Sequence, residues 1–182
     1  MRKLFNLTTV ASGAALGMIL AGVLALIGGG YANNVVHDQL APQKITFPAK
    51  GEQLPASLNE FAGQRVDTAK EAKAYANDFI GLHLKGIGAG KTYSEVSAAF
   101  LQDPTNEKLA QQRQTLFMGE TLRGLLLSAW GWGTIASIAT IAGFVLIGIG
   151  GLLLAVPVLA AIEGRRRVTV SAAPVTTPTT AG

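Results

Sequence analysis

Two long apolar runs frame a mixed middle. Residues Thr8 to Tyr31 (TTVASGAALGMILAGVLALIGGGY) carry no charge. A helix needs about 20 apolar residues to cross a hydrocarbon core of roughly 30 Å. The run therefore predicts a transmembrane helix over 8–31, with Tyr31 as an amphipathic ring at the far interface. The competing reading is a cleaved signal peptide, with a basic start and Gly30-Tyr31-Ala32 as a small-x-small site. Signal h-regions span about 7–15 residues, and this run is longer.

The second run, Gly124 to Ile162, is also free of charge. At about 1.5 Å per residue it would reach roughly 58 Å, nearly twice the hydrocarbon thickness. It predicts one long helix over 124–162 that starts well outside the bilayer. Trp130 and Trp132 would mark the outer interface, and about 135–158 would cross. Pro157 sits near the inner end, where a lost hydrogen bond matters less. A hairpin turning at Gly148–Gly151 is the alternative. It would place Arg165, Arg166 and Arg167 outside, against the positive-inside rule.

Residues 32–123 read as mostly helical. Asn33–Leu40 extends the first span, and Pro42 ends it. Gln43–Gly51 (QKITFPAKG) reads as an extended segment, because Ile45 and Phe47 alternate and Pro48 is unsuited to a helix interior. No partner strand is evident within the chain, so it predicts an arm over the helices or pairing with another chain. Thr68 with Glu71 and Thr92 with Glu95 match the S/T-x-x-E capping box. The first box opens a helix to about Lys85, with Ala69, Ala72, Ala76, Phe79, Ile80, His83 and Leu84 at helical spacing. The second opens a helix to about Leu101, with Val96, Ala99 and Phe100 inward, stopped by Asp103-Pro104. Asn106 is placed to cap a third helix that carries Leu109, Leu116 and Phe117 and runs on into the second span.

Both spans are rich in small residues. Gly13, Gly17, Ala21 and Ala25 form one row, and Ala139 and Gly143 another. Such rows let helix backbones approach closely. They predict pairing of the two spans with each other ahead of an oligomer seam. Neither span holds an ionisable residue, which argues against a pump, transporter or channel acting alone.

Of the 182 residues, 49% are hydrophobic and 14% are charged, against about 25% charged in an average soluble domain. Ten Lys and Arg between Lys44 and Arg123 are matched by ten acids between Asp38 and Glu120. The net charge of +4 therefore comes from the two ends. A nucleic-acid binder would concentrate basic charge on a folded domain, so no nucleic-acid partner is expected. The pattern predicts an all-α plasma-membrane protein with both termini cytoplasmic. Its parts are a cytoplasmic start (1–7), the first span (8–31), a helical extracytoplasmic domain (32–123), a long helix with the second span (124–162) and a disordered tail (163–182). Membrane lipids are expected partners, together with a protein partner or a second copy at the small-residue faces.

Candidate chemistry is sparse. With no Cys, thiolate and zinc-thiolate sites are absent. Gly86-Ile87-Gly88-Ala89-Gly90-Lys91-Thr92 resembles a phosphate loop, but the Walker pattern needs Gly where Lys85 stands. A glycine C-cap followed by a capping box accounts for it. His37 beside Asp38 reads as a solvated interfacial residue, and His83 as a hydrogen-bonded core histidine. Glu120 and Arg123 lie one turn apart and read as a surface ion pair, with Arg123 also a candidate for a lipid phosphate. No catalytic constellation, metal site or cofactor site is expected.

Three strings occur together: Val36-His37-Asp38-Gln39-Leu40-Ala41-Pro42-Gln43-Lys44-Ile45-Thr46-Phe47-Pro48, Gly90-Lys91-Thr92-Tyr93, and Leu116-Phe117-Met118-Gly119-Glu120-Thr121-Leu122-Arg123-Gly124-Leu125-Leu126. With them, the chain resembles a group of uncharacterised actinobacterial two-span membrane proteins, over about residues 5–165. Some of that group carry the name aromatic ring-opening dioxygenase. Such an enzyme would hold iron with two His and a carboxylate, and the spacing of His37 and His83 does not call for that. The leading expectation is a non-catalytic accessory, assembly or scaffold subunit of a membrane complex. The alternative is an extracytoplasmic lipid-binding or sensing module using a groove between the outer helices and the Trp130/Trp132 belt.

Overall fold

A computed structural model describes residues 2–51 and 53–171. Five α-helices form: α1 (Arg2–Leu40), α2 (Ala69–Ala74), α3 (Gly81–Ile87), α4 (Tyr93–Gln102) and α5 (Glu107–Ser171). Short 3-10 turns cover Ala41–Gln43 and Ala56–Phe61, and a π-helical turn over Tyr75–Ile80 joins α2 to α3. Two of the helices, α1 and α5, are long and apolar enough to cross a membrane. Helix α5 continues past the expected tail boundary at 163 as far as Ser171. The remainder of that tail lies outside the described residues.

The chain divides into two compact units. The first holds residues up to Leu26 and from Ile141 onward. Here α1 and α5 touch backbone to backbone. A Cβ on Gly22 would stand 2.7 Å from the Gly143 carbonyl oxygen, and one on Gly143 would stand 2.8 Å from that of Gly22. A Cβ on Gly150 would meet the Ala15 carbonyl oxygen at 2.8 Å. The spans thus pair with each other, through Gly143 of the expected row on α5 but not through the Gly13–Gly17 row expected on α1. Gly13 and Gly17 have nothing within 4 Å of an added Cβ. The seam on α1 uses Ala15 and Gly22, seven residues apart, the heptad spacing that keeps a contact line straight on a slightly wound helix pair. On α5 it uses Gly143 and Gly150, again seven apart.

The second unit spans Ile27–Thr140. Gly29 continues the α1 spacing and meets Ala136, seven residues before Gly143. A Cβ on Gly29 would lie 2.7 Å from the Ala136 carbonyl oxygen and 2.5 Å from Thr140 Oγ1. Beyond this point larger residues replace the small ones, and the core of the unit begins.

That core is built largely by the segment that the pattern reads least well. Phe47, Leu54, Leu58, Phe61 and Val66 are all buried, together with Val36 and Leu40 of α1, Ala72 and Ala74 of α2, Ala76 and Leu126. Phe47 is 1% exposed and stacks on Phe61 at 5.2 Å between centroids. The extended segment has an internal partner after all. Thr46 bridges Arg65 in antiparallel fashion, Phe47 N–H donates to the Gln64 carbonyl (2.9 Å), and Val66 N–H to that of Ile45 (2.9 Å). The segment thus finds a backbone partner within the chain, which the sequence pattern did not reveal. Buried backbone amides need partners, and residues 64–66 supply them.

Both capping boxes form. The Thr68 hydroxyl accepts from Glu71 N–H at 3.4 Å while the Glu71 carboxylate accepts from Thr68 N–H at 2.9 Å. Thr92 and Glu95 do the same at 3.3 and 2.7 Å. Between them, α3 closes on Gly88, and Ala89 and Gly90 take positive φ. Gly90 N–H donates to the Lys85 carbonyl at 2.9 Å, which consumes a free end of α3. The glycine-rich string is thus a helix-to-helix turn. Asn106 accepts from Leu109 N–H at 3.2 Å and caps α5. A second small core gathers Leu84, Val96 and Leu116.

Two expected core residues point outward. His83 is exposed, and its Nδ1–H donates to the Phe79 carbonyl at 2.8 Å. The π-helical turn adds a residue to the helix path, so the buried face reaches Leu84 in place of His83. Phe117 is 53% exposed and rests beside Tyr93 at 5.8 Å.

Candidate functional site: an apolar groove between α1 and α5

The groove lies wholly in the second unit. Where the Gly29–Ala136 contact ends, α1 and α5 no longer touch through small residues, and a cavity of about 550 Å³ opens. Pockets for small ligands commonly fall at about 300–1,000 Å³. One wall comes from α1 through Tyr31, Ala32, Val35, Val36, Gln39 and Leu40. These positions follow the three- and four-residue spacing of one helix face. The facing wall is α5, with Leu122, Leu125, Leu126, Ser128, Ala129 and Trp132. Gln43 and Ile45 close the far end.

No lining residue carries a formal charge. The polar side-chain groups are the Tyr31 hydroxyl, the Trp132 indole N–H, the Ser128 hydroxyl, and the amides of Gln39 and Gln43. Polarity is graded along the groove. Tyr31 and Trp132 stand at the end next to the apolar runs, and the two glutamines stand at the other end. About 15 Å of α5 separates Leu122 from Trp132. The inner wall is rigid, since Val36, Leu40 and Leu126 belong to the buried core behind it. The rim is open, with Tyr31 72% and Trp132 61% exposed.

The two expected interface residues Tyr31 and Trp132 thus come together in one groove. Trp130 goes elsewhere: the Lys73 ammonium sits over its ring at 4.6 Å, a cation–π contact that turns it toward α2. Arg165, Arg166 and Arg167 lie on α5 ahead of its end at Ser171. Arg123 is outside the groove lining. Its guanidinium donates to Glu120 at 3.1 Å and to Asn77 Oδ1 at 3.3 Å, while Nε is buried against Gly81 without a partner. The Asn77 bond ties α5 to the π-helical turn, and the Glu120 pair stays within α5.

Three titratable groups in this unit depart from their ordinary values. Partial burial pushes Glu71 up, but hydrogen bonds from Asp67 and Thr68 outweigh it and hold the carboxyl below the usual range. The Thr92 backbone and hydroxyl lower Glu95 likewise. Burial raises Tyr75. All three serve the scaffold. His37 donates from Nδ1 to the Asp67 carbonyl at 3.2 Å and pins α1 to the start of α2. Among the described residues no three His, Cys, Asp or Glu side chains gather as a metal site.

The groove was only half legible in the sequence. Tyr31 and Trp132 stood out as interfacial aromatics, but nothing marked Gln39 on the α1 face as a lining residue, and the non-periodic turn that brings Gln43 and Ile45 to the groove was not legible. No family model, curated protein or solved structure matches the chain.

Proposed function

We propose that this chain is a non-catalytic, two-span protein of the plasma membrane that binds a membrane lipid in the groove of its outer domain. The observation that supports this most is the uncharged, rigid-walled cavity with Tyr31 and Trp132 at one end. Aromatic residues of this kind concentrate at membrane–water interfaces. On this reading α1 and α5 carry the groove to the surface of the outer leaflet, with both termini in the cytoplasm. An open cavity of this size at that surface would meet acyl chains before any soluble ligand.

The test is to purify the full chain in a mild detergent, extract it with organic solvent and quantify phospholipid per chain. Near-stoichiometric lipid is expected for the natural sequence. Ser128→Phe projects a ring into the groove from an exposed position and should reduce bound lipid to background. Equal lipid in both proteins would overturn the reading.

An accessory or scaffold role in a larger membrane complex is the second reading. One observation favours it: the Gly13–Gly17 face of α1 is open, while the seam to α5 runs through Ala15 and Gly22. The pairing of the extended segment within the chain removes one of its supports. A large stoichiometric assembly on a native gel would favour it.

A further inference from the structure

The gradation of polarity along the groove carries more than the presence of a lipid. We propose that the occupant is a phospholipid lifted partly out of the outer leaflet, its phosphate-bearing head at Gln39, Gln43 and Lys44, its acyl chain running down toward Trp132. The inference rests on the lipid-binding reading above and adds an orientation and a head chemistry.

The far end of the groove supplies hydrogen-bond donors. The Gln39 and Gln43 amides line it. Lys44 follows at once, exposed, in the left-handed conformation (φ 54°) that stops the helical path after Ala41–Gln43. That turn brings both of its neighbours, Gln43 and Ile45, to the groove wall. The ion pairs among the described residues join Lys70 to Glu60 and Arg123 to Glu120, so the Lys44 ammonium has no carboxylate to neutralise it. Two amides in the lining, with an exposed lysine next to them in sequence and no acid in the lining, suit an acceptor-rich anion such as a phosphodiester. The opposite end holds Tyr31, Ala32, Ala129 and Trp132 around an open rim; apart from the Tyr31 hydroxyl and the Trp132 indole N–H its surface is ring and methyl, which suits methylenes that continue into the bilayer. A lipid in the reverse sense would put its chain end against two amides and a cation. It would also leave its phosphate against aromatic rings and alanines, with the Tyr31 hydroxyl and the Trp132 indole N–H as donors but no cation in the lining or next to it in sequence.

The chain's two tryptophans make the orientation measurable. In a Trp130→Phe background, Trp132 is the sole tryptophan fluorophore, and the Lys73 contact keeps an aromatic ring. The full-length protein is reconstituted in phosphatidylcholine–phosphatidylglycerol vesicles containing phospholipids brominated either near the glycerol or near the chain methyl. Bromines near the methyl end should quench Trp132 more than those near the glycerol, and Ser128→Phe should abolish that preference. An ordinary interfacial tryptophan gives the opposite order. Lys44→Gln, at an exposed site, should lower the phospholipid retained on purification about fivefold, the effect of one lysine near a phosphate surface. Stronger quenching by glycerol-end bromines, or unchanged retention in Lys44→Gln, would overturn the orientation while leaving lipid binding intact. Absence of retained lipid in the natural sequence would instead overturn the lipid-binding reading itself.

Discussion

The Thr and Glu of each capping box are four-residue signals, and they are the most legible part of this sequence. Their geometry depends on local backbone alone, so pattern and structure agree at Thr68–Glu71 and Thr92–Glu95. Thr68→Ala should cost about 1 kcal/mol, read as a lower melting temperature of the full chain in detergent. Both glutamates are held below the ordinary value of 4.5. A carboxyl lowered in the folded state contributes stability that is fully present above 4.5 and is lost as pH falls through its lowered value. The melting temperature should therefore decline below about pH 4.5, and the decline should shrink in Glu71→Gln, which keeps much of the box without the titration. His83 shows the limit of residue-level reading. Its spacing from Ala69 fits an α-helical face, and only the added residue in the π-helical turn moves it into solvent.

At the scale of elements, the small-residue rows announced close helix contact but not its register. Gly13 and Gly17 match the four-residue spacing of a short crossing. The structure instead uses seven-residue spacing through Ala15 and Gly22 on one helix and Gly143 and Gly150 on the other. Both patterns coexist in a Gly- and Ala-rich run, and only the facing helix selects between them. Gly22→Leu drives its side chain into the Gly143 carbonyl and Ile147. It should cost about 1–3 kcal/mol, visible as a lower melting temperature in detergent. A Cβ on Gly17 has nothing within 4 Å among the described residues, and Gly17→Leu should change stability by less than about 0.5 kcal/mol. If Gly17→Leu instead shifts the size of the particle on a native gel, the open face is a seam with another chain. The segment 43–66 was the least legible element. A single β-bridge and two 3-10 turns have no period, yet they place Phe47, Leu58 and Phe61 in the core, in a row with Tyr75, Phe79 and His83.

For the whole molecule, charge distribution and the two apolar runs account for the all-helical architecture and for two helices able to cross a membrane. The groove needed the fold, since its walls come from residues about ninety positions apart. Everything proposed for it requires residues 32–123 to face outward. The absence of Cys makes that directly measurable with single cysteines. Lys50→Cys, on the exposed part of the middle segment, should react with a membrane-impermeant maleimide on intact cells. Thr179→Cys, near the C-terminus, should react only after the membrane is permeabilised. The opposite pattern, or labelling of both sites on intact cells, would contradict a two-span protein that holds its groove at the outer surface.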